Sequence, residues 1–151
     1  MAVINRVAPP LSLFLLLLIF AACGKSGADV SEREYFLLNQ SRCIVSASAD
    51  IISKQRMRWP TFPASESEVS TALIEHSQEI RCGPQLTVLK EKNLVDSFGK
   101  PLRIIIQPDS IIIYSESVPF TLDGNEGLIS GRRVTRDRTE EVKLDRSGRI
   151  F

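Results

Sequence analysis

The strongest nucleophilic or metal-binding side chains in this sequence are three thiols and one imidazole, those of Cys23, Cys43, Cys82 and His76. A zinc site of the usual kind combines several His or Cys ligands, and the single histidine has no such partner nearby in the sequence. No serine stands in the strand-to-helix elbow that exposes a hydrolase nucleophile. The sequence therefore predicts a non-enzymatic protein without a cofactor, and an enzyme with an unrecognised site is an alternative.

Oxygen ligands are concentrated near Asp123, where Asp123, Asn125 and Glu126 alternate with glycine. Carboxylate and amide oxygens at such spacing could bind Ca²⁺. The segment lacks the further acidic ligands of an EF-hand loop, and an Asp-Gly pair is typical of a tight turn. A turn is therefore the favoured interpretation, and calcium binding near Asp123 is the alternative.

The N-terminal segment has the parts of a secretory signal, with a positive charge at Arg6, an apolar block over residues 11–20 and a small-residue exit. The apolar block is short for a membrane crossing, which needs about 20 residues. The exit, Phe20-Ala21-Ala22-Cys23, resembles the bacterial lipobox, with Phe where Leu is usual. The resemblance implies that Cys23 is linked to diacylglycerol and becomes the new N-terminus. Cleavage nearby that leaves Cys23 in a spacer, or an uncleaved signal anchor, are the alternatives.

The signal divides the chain into three parts. Residues 1–22 are the predicted lipoprotein signal peptide, residues 23–30 a flexible tether and residues 31–151 a single globular domain. The protein is then expected in the bacterial cell envelope, lipid-anchored to a membrane and facing the periplasm. Because Gly24 is not Asp, the sorting rule of enteric lipoproteins favours the outer membrane.

Two cysteines, Cys43 and Cys82, remain if Cys23 is acylated. Export carries them to an oxidising compartment, where an even pair suggests one disulfide. Two buried free thiols are the alternative.

Charge excludes one class of partner. The chain has 19 basic and 18 acidic residues. Arg6 is the one charged residue of the predicted signal peptide, so the part of the chain after it has 18 basic and 18 acidic residues. This balance argues against nucleic-acid binding. The basic stretch at residues 132–138 contains Asp137 and precedes two glutamates, which indicates a solvated strand or turn.

Helix signals dominate the first half of the domain. A Ser-x-x-Glu capping box begins at Ser31, and apolar residues at helical spacing predict a long helix over residues 31–55. Pro60 and Pro63 follow it, and a second capping box at Ser65 predicts a short helix over residues 66–80.

Strand signals follow. Residues 86–89, 102–106 and 111–114 are β-prone, and the latter two flank a Pro-Asp turn that predicts an antiparallel hairpin. Residues 118–122 and 128–134 are candidate strands, and residues 142–144 and 149–151 are a candidate second hairpin. Near-continuous isoleucine suggests a sheet covered on both faces, with the long helix on one. The fold class is therefore α+β: a long helix and a short second helix packed on a small antiparallel sheet.

Two segments resemble the major pseudopilins of type II secretion. Arg58-Trp59-Pro60-Thr61 is similar to their Arg-Tyr-Pro-Thr segment, and residues 93–102 are similar to the motif that precedes their first hairpin. In that motif Ser97 and Phe98 replace Pro and Trp. Gly99 permits a left-handed turn, and we expect the Phe98 ring to pack between the sheet and the helix. A generic turn before a hairpin is the alternative interpretation of this segment. The resemblance covers residues 36–122, and no polymerisation residue of the family has a counterpart.

The resemblance implies a globular fold on a lipid tether and not a pilus subunit. We therefore expect a structural or interaction module that binds an envelope protein and is associated with secretion. The alternative in another class is an unrelated periplasmic binding or inhibitor lipoprotein.

Overall fold

The structure, a computed structural model, describes residues 31–83, 88–90, 93–120 and 127–151. Residues Glu32–Phe151 belong to one compact unit. Helices come first in this unit and an antiparallel sheet afterwards, which confirms the predicted α+β class. Within the described ranges, no helix combines the length and the hydropathy that a membrane crossing requires.

Helix α1, Glu32–Gln55, matches the predicted long helix. Its first turn carries acidic Glu32 and Glu34 and its last turn carries Lys54, the arrangement that the helix dipole favours. Its buried residues recur at helical spacing and face two strands of the sheet, Ser110–Pro119 and Ile129–Thr135. The chain then turns through residues 56–58 towards Trp59 and Pro60.

Helix α2, Glu66–Glu75, begins at the predicted capping box. Glu68 N donates to Ser65 Oγ over 3.3 Å, and Ser65 N donates to Glu68 Oε2 over 2.8 Å. The prediction that this helix continues to residue 80 is wrong. The α-helical bonds end at His76, and the chain tightens into a 3₁₀ turn, Ser77–Glu79, which delivers the Ile80 side chain to the core.

The main sheet has four antiparallel strands in the order β3-β4-β5-β6. They are β3 Arg103–Gln107, β4 Ser110–Pro119, β5 Ile129–Thr135 and β6 Thr139–Leu144. A separate ribbon pairs β1, Leu89–Lys90, with β2, Asn93–Leu94. Of the predicted strand over 86–89, residues 86 and 87 lie outside the described residues, and Leu89 belongs to β1.

The predicted hairpin through Pro108 and Asp109 is confirmed, with Ile104 opposite Ile113 and Ile105 opposite Ile112. Two other strand predictions need correction. Residues 111–114 and the start of 118–122 belong to the one strand β4, which continues through an irregularity in its pairing with β5. The expected hairpin at the C-terminal end reduces to a single bridge between Leu144 and Ile150, because β6 makes its main ladder with β5.

Both faces of the sheet are covered, as the isoleucine run predicts. Ile111 and Ile113 on one face join a core with Ile44 and Ile52 of α1 and Leu73 of α2. On the other face a second cluster joins Ile112 and Tyr114 to residues of β3, β5, β6 and the C-terminal segment: Ile105, Ile129, Val142, Leu144 and Ile150.

Candidate functional site

The predicted disulfide is present between Cys43 and Cys82, whose Cα atoms are 5.6 Å apart. Cys43 lies on α1, and Cys82 follows the 3₁₀ turn, so the bond fixes the end of the second helical segment to the middle of the first. Oxidised cysteines are typical of exported proteins. Cys23, the predicted lipidation residue, lies outside the described residues.

The segment that resembles the pseudopilin motif is built around one buried carboxylate. Asp96 is 1% exposed, and its Oδ1 accepts hydrogen bonds from the backbone N–H groups of Phe98 and Lys100, both over 2.9 Å. Its Oδ2 accepts from the Ser115 hydroxyl of β4 over 2.5 Å. Gly99 takes the predicted left-handed conformation, with φ +76°. The motif is therefore a turn that is fastened to the sheet.

Ser97 fastens the same turn to α1. Its Oγ donates to the Leu37 carbonyl oxygen over 2.5 Å and lies 2.7 Å from Ser41 Oγ. The expectation that the Phe98 ring packs between the sheet and the helix is wrong. It is Ser97 that contacts α1. The Phe98 ring is turned outwards and is 38% exposed.

Ser97 and Lys100 also have the Ser-x-x-Lys spacing that places an amine beside a nucleophilic serine in penicillin-binding enzymes. In this turn the Ser97 hydroxyl is engaged by α1, and no hydrogen bond joins it to the Lys100 amine, whose side chain is exposed. The pair is therefore no activated nucleophile.

His76 lies at the end of α2, where both ring nitrogens are engaged. Nε2 accepts from the Gln55 amide over 2.8 Å, and Nδ1 donates to Glu79 Oε1 over 2.7 Å. The bond from His76, and then the bond from the Lys54 ammonium, hold the pKa of the Glu79 carboxyl below its ordinary value. This network links α1 to the 3₁₀ turn.

Metal binding has little support in the described part of the chain, where no group of three His, Cys, Asp or Glu side chains could hold an ion. The segment considered for calcium, from Asp123 to Glu126, lies outside the described residues.

A second kind of site appears where α1 ends beside the turn between β5 and β6. Arg56 Nη1 donates to the Thr135 carbonyl oxygen over 3.0 Å and ties the two ends together. An open cleft of about 430 Å³ lies there. We call this region the distal surface, and it consists of the cleft residues and the adjoining Arg58: Arg56, Met57, Arg58, Trp59, Phe62, Arg136 and Asp137.

The apolar part of the distal surface is unusually accessible. The Met57 side chain is 80% exposed, although methionine is usually buried in a monomer. Trp59 and Phe62 are half-buried, with one side packed on the core and the other lining the cleft. Rigid aromatic rings with one free face, beside a flexible thioether, are common at the centre of protein interfaces.

The seven residues of the distal surface carry three guanidinium groups and one carboxylate, that of Asp137. The cleft that adjoins it at Arg58 also contains Glu68 and Glu75. Nearby arginines are neutralised, since Arg138 pairs with Glu140 over 2.9 Å and Arg133 reaches Asp109 and Glu140 over 3.6 and 3.7 Å. In the described residues, the guanidinium groups of Arg58 and Arg136 make no ion pair or hydrogen bond, and both side chains are exposed.

The prediction of a strand or turn at residues 132–138 is confirmed by β5 and the turn after it. Sequence reasoning missed the distal surface itself. A signal was available in Arg56-Met57-Arg58-Trp59, which follows the helix without continuing its apolar face. The contribution of Arg136 depends on tertiary contact across about 80 residues of chain, a contact marked by the Arg56–Thr135 bond.

Comparison with protein-family models, with curated proteins and with solved structures finds no match to this chain. The likeness to pseudopilins therefore depends on the two short motifs alone.

Proposed function

We propose that this protein is a lipoprotein of the bacterial cell envelope whose domain binds a protein partner, without catalysis, through the distal surface. The lipid anchor is supported by the lipobox-like exit at Cys23, and an exported state is supported by the Cys43–Cys82 bond. The observation that carries the binding role is the exposed Met57 and the half-buried Trp59 of the cleft, which lie beside the unpaired guanidinium groups of Arg58 and Arg136.

The chemistry of this surface favours an acidic protein segment. Guanidinium groups bind carboxylates through two parallel hydrogen bonds, and Trp59 and Met57 offer apolar contact between such pairs. Tryptophan and arginine dominate the energetics of measured interfaces. The equal numbers of acidic and basic residues after the leader disfavour a nucleic acid as the partner.

The position of the surface also suits a tethered binder. Helix α1 has 24 residues, which corresponds to about 36 Å along its axis. The tether joins at the N-terminal end of α1, and the distal surface lies at its C-terminal end. A partner could therefore bind away from the attachment point. A component of a secretion assembly would fit the resemblance to pseudopilins, and we propose such a component as the first partner to test.

Charge reversal at the distal surface tests the binding role. We expect the full-length double variant Arg58→Glu and Arg136→Glu to recover about tenfold less of a cross-linked partner from cell membranes, because attraction to carboxylates becomes repulsion. The measurement is quantitative mass spectrometry of a crosslinking pull-down.

A matched variant controls for net charge. Arg81→Glu with Arg146→Glu reverses two other exposed arginines that make no ion pair in the described residues. This control should recover the partner at the wild-type level. Equal recovery by all three proteins, or equal loss in both variants, would contradict a binding role for the distal surface.

A further inference from the structure

The opposite end of the domain exposes three aromatic rings. Tyr35 and Phe36 belong to the first turns of α1 and are 48% and 53% exposed, and Phe98 is 38% exposed. The hydrogen bonds of Ser97 to Leu37 and Ser41 place the Phe98 turn against this same end of the helix. We call Tyr35, Phe36 and Phe98 the proximal aromatic residues.

Their position relative to the tether limits what can cover them. Eight residues separate Cys23 from Glu32, where α1 begins, and a fully extended chain of that length spans about 28 Å. A lipid on Cys23 would therefore hold this end of the domain within that distance of a bilayer. Because the tether is so short, the bilayer is present at a high effective concentration near this end of the domain. Even weak contacts between the domain and the lipid headgroups would then form for much of the time.

The side-chain chemistry fits the membrane–water interface. Tyrosine favours the headgroup region of a bilayer because it joins an apolar body to a hydroxyl, and phenylalanine adds apolar contact at the boundary with the acyl chains. The exposed charges at this end balance, since Arg33 and Lys100 are offset by Glu32 and Glu34. Attraction to anionic lipid therefore contributes little, and the contact depends on the rings.

We propose that this end of the domain rests on the membrane surface, with the proximal aromatic residues in the headgroup region. This inference rests on the proposed lipid anchor. It orients the domain with its distal surface towards the periplasm, where a partner can reach Met57 and Trp59.

Tryptophan fluorescence can test the orientation, because Trp59 is the one tryptophan of the sequence and reports on the distal surface. The mature lipidated protein is reconstituted into phosphatidylcholine vesicles that contain a brominated lipid, which quenches tryptophan at the bilayer. Two variants move the reporter to the proximal end: Phe98→Trp with Trp59→Phe, and Phe36→Trp with Trp59→Phe. Phe36 is more exposed than Phe98, so tryptophan at position 36 remains a usable reporter if the substitution at position 98 disturbs the local packing.

We expect quenching of tryptophan at position 98 or 36 to exceed that of native Trp59 at least threefold. The ratio should stay the same when a third of the lipid is anionic phosphatidylglycerol. Equal quenching at both ends would overturn the proposed orientation. Quenching that appears only with anionic lipid would overturn the assignment to the rings. A blue shift of the new tryptophan that depends on protein concentration and not on vesicles would assign this end to a second copy of the chain.

The same experiment separates failure of the orientation from failure of the anchor. Protein that does not float with the vesicles lacks a membrane anchor, and this result would overturn both proposals. Protein that floats without selective quenching at the proximal end keeps the anchor and overturns the orientation alone.

Discussion

Replacing Cys43 and Cys82 together by alanine should lower the free energy of unfolding by about 4 kcal/mol. The disulfide joins residues 39 apart in sequence, and closing a loop of that length restricts the unfolded chain by about this amount. A small domain has a total stability of about 5–15 kcal/mol, so the loss is a large fraction of it. Urea unfolding followed by circular dichroism measures the change.

Reduction of the wild-type protein is the control for this prediction. Alanine also removes two sulfur atoms, and Cys82 is a buried member of the core. Wild-type protein unfolded in the presence of a reductant loses the cross-link while it keeps the sulfur atoms. Both forms should lose most of the 4 kcal/mol. A loss below about 1 kcal/mol in each would contradict a stabilising role for the bond.

Replacing Asp96 by alanine should cost about 3–5 kcal/mol. The substitution removes the acceptor of two backbone N–H groups and of the Ser115 hydroxyl at a site that is 1% exposed. Each buried donor without an acceptor costs about 1–3 kcal/mol. The free energy of unfolding measures the effect, and faster amide exchange at Phe98 and Lys100 should locate it in the turn.

Asparagine at the same position is the matched control. Asp96→Asn keeps an Oδ1 acceptor for the two amides and preserves the side-chain volume, so we expect a loss of about 1 kcal/mol. The larger loss with alanine would then be due to the missing acceptors. If alanine and asparagine destabilise the domain equally, the hydrogen bonds to the amides contribute nothing measurable.

Local signals in the sequence were sufficient for the features that depend on neighbouring residues. The Ser65–Glu68 capping box and the hairpin at Pro108 each occupy a few consecutive residues and appear as predicted. The disulfide followed from counting the two cysteines that remain once Cys23 is set aside as the predicted lipidation residue. The covered sheet followed from a run of isoleucines that no solvent-exposed face would tolerate.

The wrong predictions concern residues whose conformation is decided by distant parts of the chain. Phe98 is turned outwards because Ser97 binds α1, which lies about 60 positions earlier in the sequence. The turn at Gly99 was predicted, but the buried Asp96 beneath it depends on Ser115 of another strand. Residue type and spacing do not reveal which residues from distant parts of the chain come into contact. The distal surface was missed for the same reason.

The most direct test of the lipid-anchored state is to label growing cells with a clickable fatty acid and to separate their membranes. We expect the wild-type protein to take up the label and to sediment with the membranes. Cys23→Ser should remove the label and abolish processing as a lipoprotein, and the variant lacking Cys43 and Cys82 should keep the label. Export of the wild-type protein without label, or label that persists in Cys23→Ser, would contradict lipid attachment at Cys23.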